Sequence, residues 1–80
     1  MRIDKYLKVS RLIKRRTLAQ EACDKGKVLL NDKIAKSAAS VKIGDKITIT
    51  LGQQVIKIEV LRLDEHVLKE NAPLMYRLAE

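Results

Sequence analysis

Two hydrophobic periodicities divide the chain, and Gly26 stands at the change between them. Before Gly26, apolar residues recur three or four positions apart, as they do on one face of a helix. After it, apolar and polar residues alternate in short runs separated by turn residues, as in half-buried strands. Helices that precede a run of strands predict an α+β fold with a small antiparallel sheet.

The helical part contains two short segments. The first runs from residue 3 to about residue 9, and the second from about residue 18 to residue 25. Thr17 is a suitable N-cap for the second segment, and Gln20 stands three residues on, where a capping box places it. Gly26 follows where a helix ends at least cost, because glycine readily adopts the left-handed C′ conformation.

The second part predicts strands, turns and one more helix. Strands are expected at residues 28–30, 47–51 and 55–63, with Asn31-Asp32 as a turn between the first strand and Ile34. A short last helix is expected to open at Ala72-Pro73. Its apolar side would carry Leu74, Met75 and Leu78. The chain has no linker or repeat, so we expect one domain over residues 1–80.

Composition limits the classes of partner. The 80 residues include 2% aromatics and neither Phe nor Trp, which disfavours a domain that stacks bases of single strands on ring side chains. The formal net charge is +7, and residues 1–46 carry the whole excess, with 13 basic and 5 acidic side chains. Such a surface attracts polyanions, so RNA, DNA and an anionic membrane are all candidates.

Seven of the cations lie in the first sixteen residues. They are Arg2, Lys5, Lys8, Arg11, Lys14, Arg15 and Arg16. The second helix begins directly after them, so its free N–H groups and the Thr17 hydroxyl would add donors for a phosphate. Asp4 is expected to pair with a neighbouring arginine. The alternative, a face of solubilising charge, is disfavoured because such faces normally mix both signs.

Catalytic and metal-binding residues are scarce. His66, the one histidine, is expected in a solvated loop, and Cys23 on the apolar face of the second helix. One cysteine and one histidine do not make a zinc site, so we expect no metal, no cofactor and no enzymatic activity. Tyr6 is expected in the core. The lone cysteine and the absence of a signal-peptide or membrane-spanning apolar run predict a cytoplasmic protein. A membrane partner is disfavoured because the apolar residues of the first two segments are few and are needed for the core.

Four blocks of residues resemble the alpha-L RNA-binding motif, the domain named after small-subunit ribosomal protein S-four. In chain order they are Arg2-Ile3-Asp4-Lys5-Tyr6-Leu7, Arg16-Thr17-x-Ala19, Gly26-Lys27-Val28-x-Leu30-Asn31 and Val41-Lys42-x-Gly44-Asp45. The motif would cover about residues 2–50, and residues 51–80 would form an extension of strand and C-terminal helix. Asp32 stands where the family usually has glycine, but aspartate also tolerates a left-handed turn.

The whole chain is similar to stand-alone members of this family that serve bacterial ribosome-associated quality control. The resemblance implies a factor that binds large-subunit rRNA and peptidyl-tRNA on the obstructed large ribosomal subunit. It also implies that the factor holds the tRNA while RqcH adds an alanine tail to the nascent chain. Arg2 and Arg16 match the family's RNA-contacting arginines, and we expect a monomer.

Three alternatives stay open at this point. A heat-shock relative of the same superfamily also binds obstructed large subunits, but it typically carries an extended basic C-terminal tail, which this sequence lacks. A second alternative is a general RNA-targeting module for a separate enzyme. The third, from a different class, is a binder of membrane surfaces or acidic proteins.

Overall fold

Two helices precede a five-stranded sheet in the computed structural model, which describes residues 1–79. The helices are α1 (Ile3–Val9) and α2 (Arg16–Asp24). The strands are β1 (Val28–Leu30), β2 (Lys33–Ile34), β3 (Lys46–Leu51), β4 (Gln54–Val60) and β5 (Tyr76–Leu78). A 3₁₀ helix spans Lys69–Met75. The predicted α+β class is confirmed, and α1 has the predicted bounds.

Helix α2 ends at Gly26 through backbone hydrogen bonds. Gly26 has a φ of +71°, and its N–H donates to the carbonyl of Cys23 at 3.0 Å. The N–H of Lys27 donates to the carbonyl of Ala22 at 2.9 Å. These two bonds form a Schellman motif, which needs a left-handed residue after the helix. The predicted role of Gly26 is confirmed.

The sheet is antiparallel throughout, with the strand order β2-β1-β3-β4-β5. Asn31 and Asp32 join β1 to β2, and both have positive φ angles of 52° and 68°. Two left-handed residues in succession are typical of the type I′ turn, whose twist suits a hairpin. The Asn31 side chain also accepts from the N–H of Lys46 and donates to Asp45. Both residues therefore serve the turn, as predicted.

The core lies between the two helices and one face of the sheet. Its buried side chains include Ile3, Tyr6 and Leu7 of α1, Ala19, Ala22 and Cys23 of α2, and Val28, Ile47, Ile49, Ile58 and Val60 of the sheet. The predicted core positions of Tyr6 and Cys23 are confirmed. The Tyr6 hydroxyl donates to the Met75 carbonyl at 2.9 Å, which ties α1 to the end of the chain.

The last third of the chain differs in detail from the prediction. A short helix is present, but it begins at Lys69 and ends at Met75, so Pro73 lies inside it. Leu78, predicted on that helix, lies on β5 and is 74% exposed. The Met75 carbonyl accepts the N–H groups of both Leu61 and Arg62. These bonds hold Met75 beside the end of β4. The residues after Met75 therefore pair with β4 as a strand and do not continue the helix. The β4 strand accordingly ends at Val60 rather than at residue 63.

We expect Tyr6→Phe to lower the stability by about 1 kcal/mol, the net value of one hydrogen bond. The loss is small because the Met75 carbonyl keeps its two backbone donors, Leu61 and Arg62. Thermal unfolding should therefore show a melting temperature about 4–8 °C lower. Tyr6→Ala also leaves a cavity where the aromatic ring packs in the core, so it should lower the stability by about 3–5 kcal/mol. Equal losses of stability for the two variants would contradict the expectation that packing of the ring contributes more than its hydrogen bond.

Candidate nucleic-acid interface

A buried carboxylate organises the amino-terminal cations. Asp4 has no exposed surface, and its two oxygens accept five hydrogen bonds. Arg2 donates through Nε at 3.2 Å and Nη2 at 3.1 Å, so this contact is bidentate. Gln20 Nε2 donates at 3.0 Å, the backbone N–H of Lys5 at 2.7 Å, and Arg16 Nη2 at 3.4 Å. The predicted pairing of Asp4 with a neighbouring arginine is confirmed.

The guanidinium groups held by Asp4 remain open to solvent. The side chain of Arg2 is 49% exposed and that of Arg16 is 44% exposed. Each guanidinium has five N–H donors in a rigid plane, and the contact with Asp4 uses only one or two of them. The remaining donors can contact the oxygens of a phosphate, for which arginine has suitable geometry. Asp4 therefore orients both arginines without consuming their binding capacity.

Helix α2 begins two residues earlier than predicted, and Thr17 is not its N-cap. Arg15 occupies the cap position with extended backbone angles, and no side chain caps the helix. Thr17 lies inside the first turn and is exposed. Gln20 does not complete a capping box either, because its amide donates to Asp4. Arg16 and Gln20, four residues apart on one helix face, both reach Asp4, and this contact anchors the helix start instead of a hydroxyl.

The electrostatic state of Asp4 follows from its donors. Burial raises the pKa of the carboxyl group because it disfavours the charged form. The hydrogen bonds from Gln20, Arg16, the Lys5 backbone and Arg2 outweigh that effect and hold the pKa below its usual range. Asp4 is therefore ionised at neutral pH, as the two arginines require.

The other predicted cations divide into two places. Lys8 and Arg11 line a recess at the end of α1. Glu65 lines it from the loop after β4, and its carboxylate pairs with Lys5 at 3.4 Å. Lys14 and Arg15 are exposed in the connection to α2. The structure thus brings Arg2 and Arg16 together at Asp4, and it places Lys5, Lys8 and Arg11 beside a separate loop.

The residues considered for catalysis or metal binding do not form a site. His66 is exposed in its loop, and burial raises the pKa of the Cys23 thiol, which makes it a poor nucleophile. Within residues 1–79, no three His, Cys, Asp or Glu side chains are placed to hold a metal ion. None of the helices in this described part is both long and apolar enough to cross a bilayer.

Two features of the site were missed from the sequence. One is Gln20 as a donor to Asp4, and the other is the approach of Glu65 to the cations of α1. The four-residue spacing of Arg16 and Gln20 could have indicated a shared helix face. No sequence signal joins Lys5 to Glu65, because the two residues are sixty positions apart and meet only through the tertiary fold.

We expect the stability contributed by Asp4 to disappear in acid. Its folded pKa is below the unfolded value of about 3.9. The contribution is therefore complete above about pH 4 and lost as the pH falls through the folded pKa. Asp4→Asn should cost about 1–3 kcal/mol at neutral pH, because charged hydrogen bonds are lost. Urea unfolding of both proteins between about pH 7 and pH 3 measures this, and a pH-independent difference would contradict it.

Comparison with known proteins identifies the family. The family model described as the S4 domain matches residues 1–47. Two proteins named RQC P-site tRNA stabilizing factor are each 47% identical over 98% of this chain. That of Halalkalibacterium halodurans is covered to 89% of its length, and that of Bacillus subtilis to 91%.

A solved structure supports the same assignment. The trimeric structure of heat shock protein 15 from Vibrio cholerae is 32% identical and has a TM-score of 0.92. The similarity covers 99% of this chain and 81% of that chain. The buried Asp4 and its two arginines lie in the segment that the S4 domain model matches. The chain therefore belongs to the S4 domain family.

Proposed function

We propose that this chain is a non-catalytic RNA-binding factor of ribosome-associated quality control. It binds the large ribosomal subunit that is still obstructed by peptidyl-tRNA, and it contacts both rRNA and the tRNA. In this role it stabilises the tRNA while RqcH adds alanines to the nascent chain. The names of the two 47% identical relatives support the part of the proposal that concerns the tRNA.

One observation carries the RNA-binding part of the proposal. A single buried carboxylate holds Arg2 and Arg16 beside the start of α2, whose first N–H groups no side chain caps. The free donors of two oriented guanidinium groups, and the uncapped N–H groups at the helix start, are of the kind that phosphate oxygens accept from. This arrangement favours a polyanion with regularly spaced phosphates over a single acidic side chain.

The proposed RNA contacts are the cations of the first sixteen residues and the first turn of α2. They are Arg2, Lys5, Lys8, Arg11, Lys14, Arg15, Arg16 and Thr17. Thr17 contributes its exposed hydroxyl and backbone N–H from within the helix rather than as a cap. The factor acts as a monomer in the cytoplasm, in association with ribosomes.

A second candidate function is that of the heat-shock relatives. The TM-score of 0.92 with heat shock protein 15 favours it, because the fold by itself does not separate the two groups. Sedimentation with large subunits that carry or lack peptidyl-tRNA distinguishes them, as does a requirement for the factor in a reconstituted alanine-tailing reaction. Liposome sedimentation with anionic lipid tests the membrane alternative.

We expect Arg16→Ala to weaken binding to peptidyl-tRNA-bearing large subunits by about tenfold to hundredfold. Charged hydrogen bonds of about 1.5–3 kcal/mol are lost. The fold should persist, because Asp4 keeps the donors of Arg2, Gln20 and Lys5. Arg77→Ala is the matched control, since Arg77 is also exposed and paired with one carboxylate, Glu59. Sedimentation and thermal unfolding should be measured for both.

The salt dependence provides the complementary measurement. For each phosphate contacted, the logarithm of the binding constant should fall by about 0.7–0.9 per decade of salt. Arg16→Ala should reduce this slope by about one contact, whereas Arg77→Ala should leave it unchanged. A flat response for the wild-type protein, or equal effects of the two variants, would reject the proposed site.

We also expect Asp4→Asn to weaken RNA binding although it makes the protein more positive. The variant gains one unit of net charge, which on its own would strengthen attraction to a polyanion. It also removes the carboxylate that orients Arg2 and Arg16. Subunit sedimentation at a temperature well below the variant's melting point measures the effect. Tighter binding would show that net charge, and not arginine geometry, determines affinity.

A further inference from the structure

A recess lies between the end of α1 and the loop after β4, apart from the residues that contact Asp4. Its volume is about 170 Å³, and it is lined by Lys8, Val9, Arg11, Glu65, His66 and Val67. That space suits a small polar group rather than a peptide. Residues 65–67 lie beyond the segment matched by the S4 domain model.

Two of the cations that line the recess form no ion pair within the described residues. Neither Lys8 nor Arg11 has a carboxylate partner among residues 1–79. Arg11 follows the C-cap Ser10 and has a φ of +64°, the left-handed conformation that glycine adopts more readily. The left-handed backbone conformation of Arg11 costs conformational free energy. No ion pair of its side chain within residues 1–79 offsets that cost.

Glu65 stands at the edge of this cation group and is weakly held. Its carboxylate lies 3.4 Å from Lys5 Nζ, and its side chain is 70% exposed. Ion pairs of this kind contribute little, because water screens both partners. The carboxylate can therefore be displaced by a group that carries more negative charge or makes more contacts.

We propose that the recess is a second phosphate-binding site, in which Lys5, Lys8, Arg11 and His66 contact one phosphate of a bound RNA and displace Glu65 from Lys5. Glu65 is thus an internal competitor that occupies a cation of the site in the free protein. The phosphate accepts from the two lysines and the Arg11 guanidinium, and the imidazole supplies a further N–H donor. This inference rests on the proposed RNA-binding function.

Removal of the competing carboxylate tests the inference. Glu65→Gln should tighten binding to purified large ribosomal subunits by about two- to fivefold, the range for an exposed ion pair. Glu70→Gln is the matched control, because Glu70 is also exposed and its replacement changes the net charge equally, but it does not line the recess. Equal effects of the two variants would mean that only the net charge matters, and would overturn the proposal.

Arg11→Gly separates binding from folding at the same site. Glycine adopts the left-handed conformation without strain, so the melting temperature should stay the same or rise. The slope of the logarithm of the binding constant against the logarithm of salt should fall by about one contact, or 0.7–0.9. Arg77→Ala, outside the recess, should leave the slope unchanged. An unaltered slope for Arg11→Gly would overturn the second site.

Binding by the wild-type protein shows whether a negative result rejects the proposed function or only the second site. If it shows no salt-dependent binding to large subunits, the proposed function and the second site both fail. If it binds and Arg16→Ala weakens it, while Glu65→Gln matches Glu70→Gln, the proposed function stands and the second site alone is rejected.

Discussion

Burial of the Asp4 carboxylate is the interaction on which the amino-terminal half depends. An ion with no exposed surface is stable only if hydrogen bonds replace the water that it loses. Its replacement donors come from the residue before α1, from within α1 and from the first two turns of α2. The donors from Arg16 and Gln20 therefore favour one relative position of the two helices, because any other position takes these two partners away from a buried charge.

The same constraint links stability to RNA binding. The groups that satisfy Asp4 include Arg2 and Arg16, whose other donors face solvent. A side chain that is fixed before the RNA arrives loses less conformational freedom on binding, which improves affinity without an added contact. Tyr6, one turn along α1 from Arg2, connects this half to the carboxyl-terminal part through Met75. The orientation of the arginines thus depends on packing throughout the fold.

Local features were predictable from the sequence, and long-range ones were not. Gly26 and the Asn31-Asp32 turn were identified because their backbone conformations depend on one or two residues. The start of α2 was misplaced because the local pattern favoured a cap at Thr17, whereas the contacts of Arg16 and Gln20 with Asp4 exist only after the helices pack. The Leu78 error has the same origin, since pairing of β5 with β4 depends on Met75 reaching Leu61. The Asp4–arginine pair was foreseen, but its Gln20 donor was not.

The two outer strands of the sheet have a consequence for behaviour at high concentration. The β2 strand has two residues and β5 has three, and each includes a cation, Lys33 or Arg77. The unpaired backbone of an edge strand can form hydrogen bonds with an edge strand of another molecule. Short or charged edge strands hinder that pairing. Growth of this protein into fibrils through its outer strands is hindered in this way.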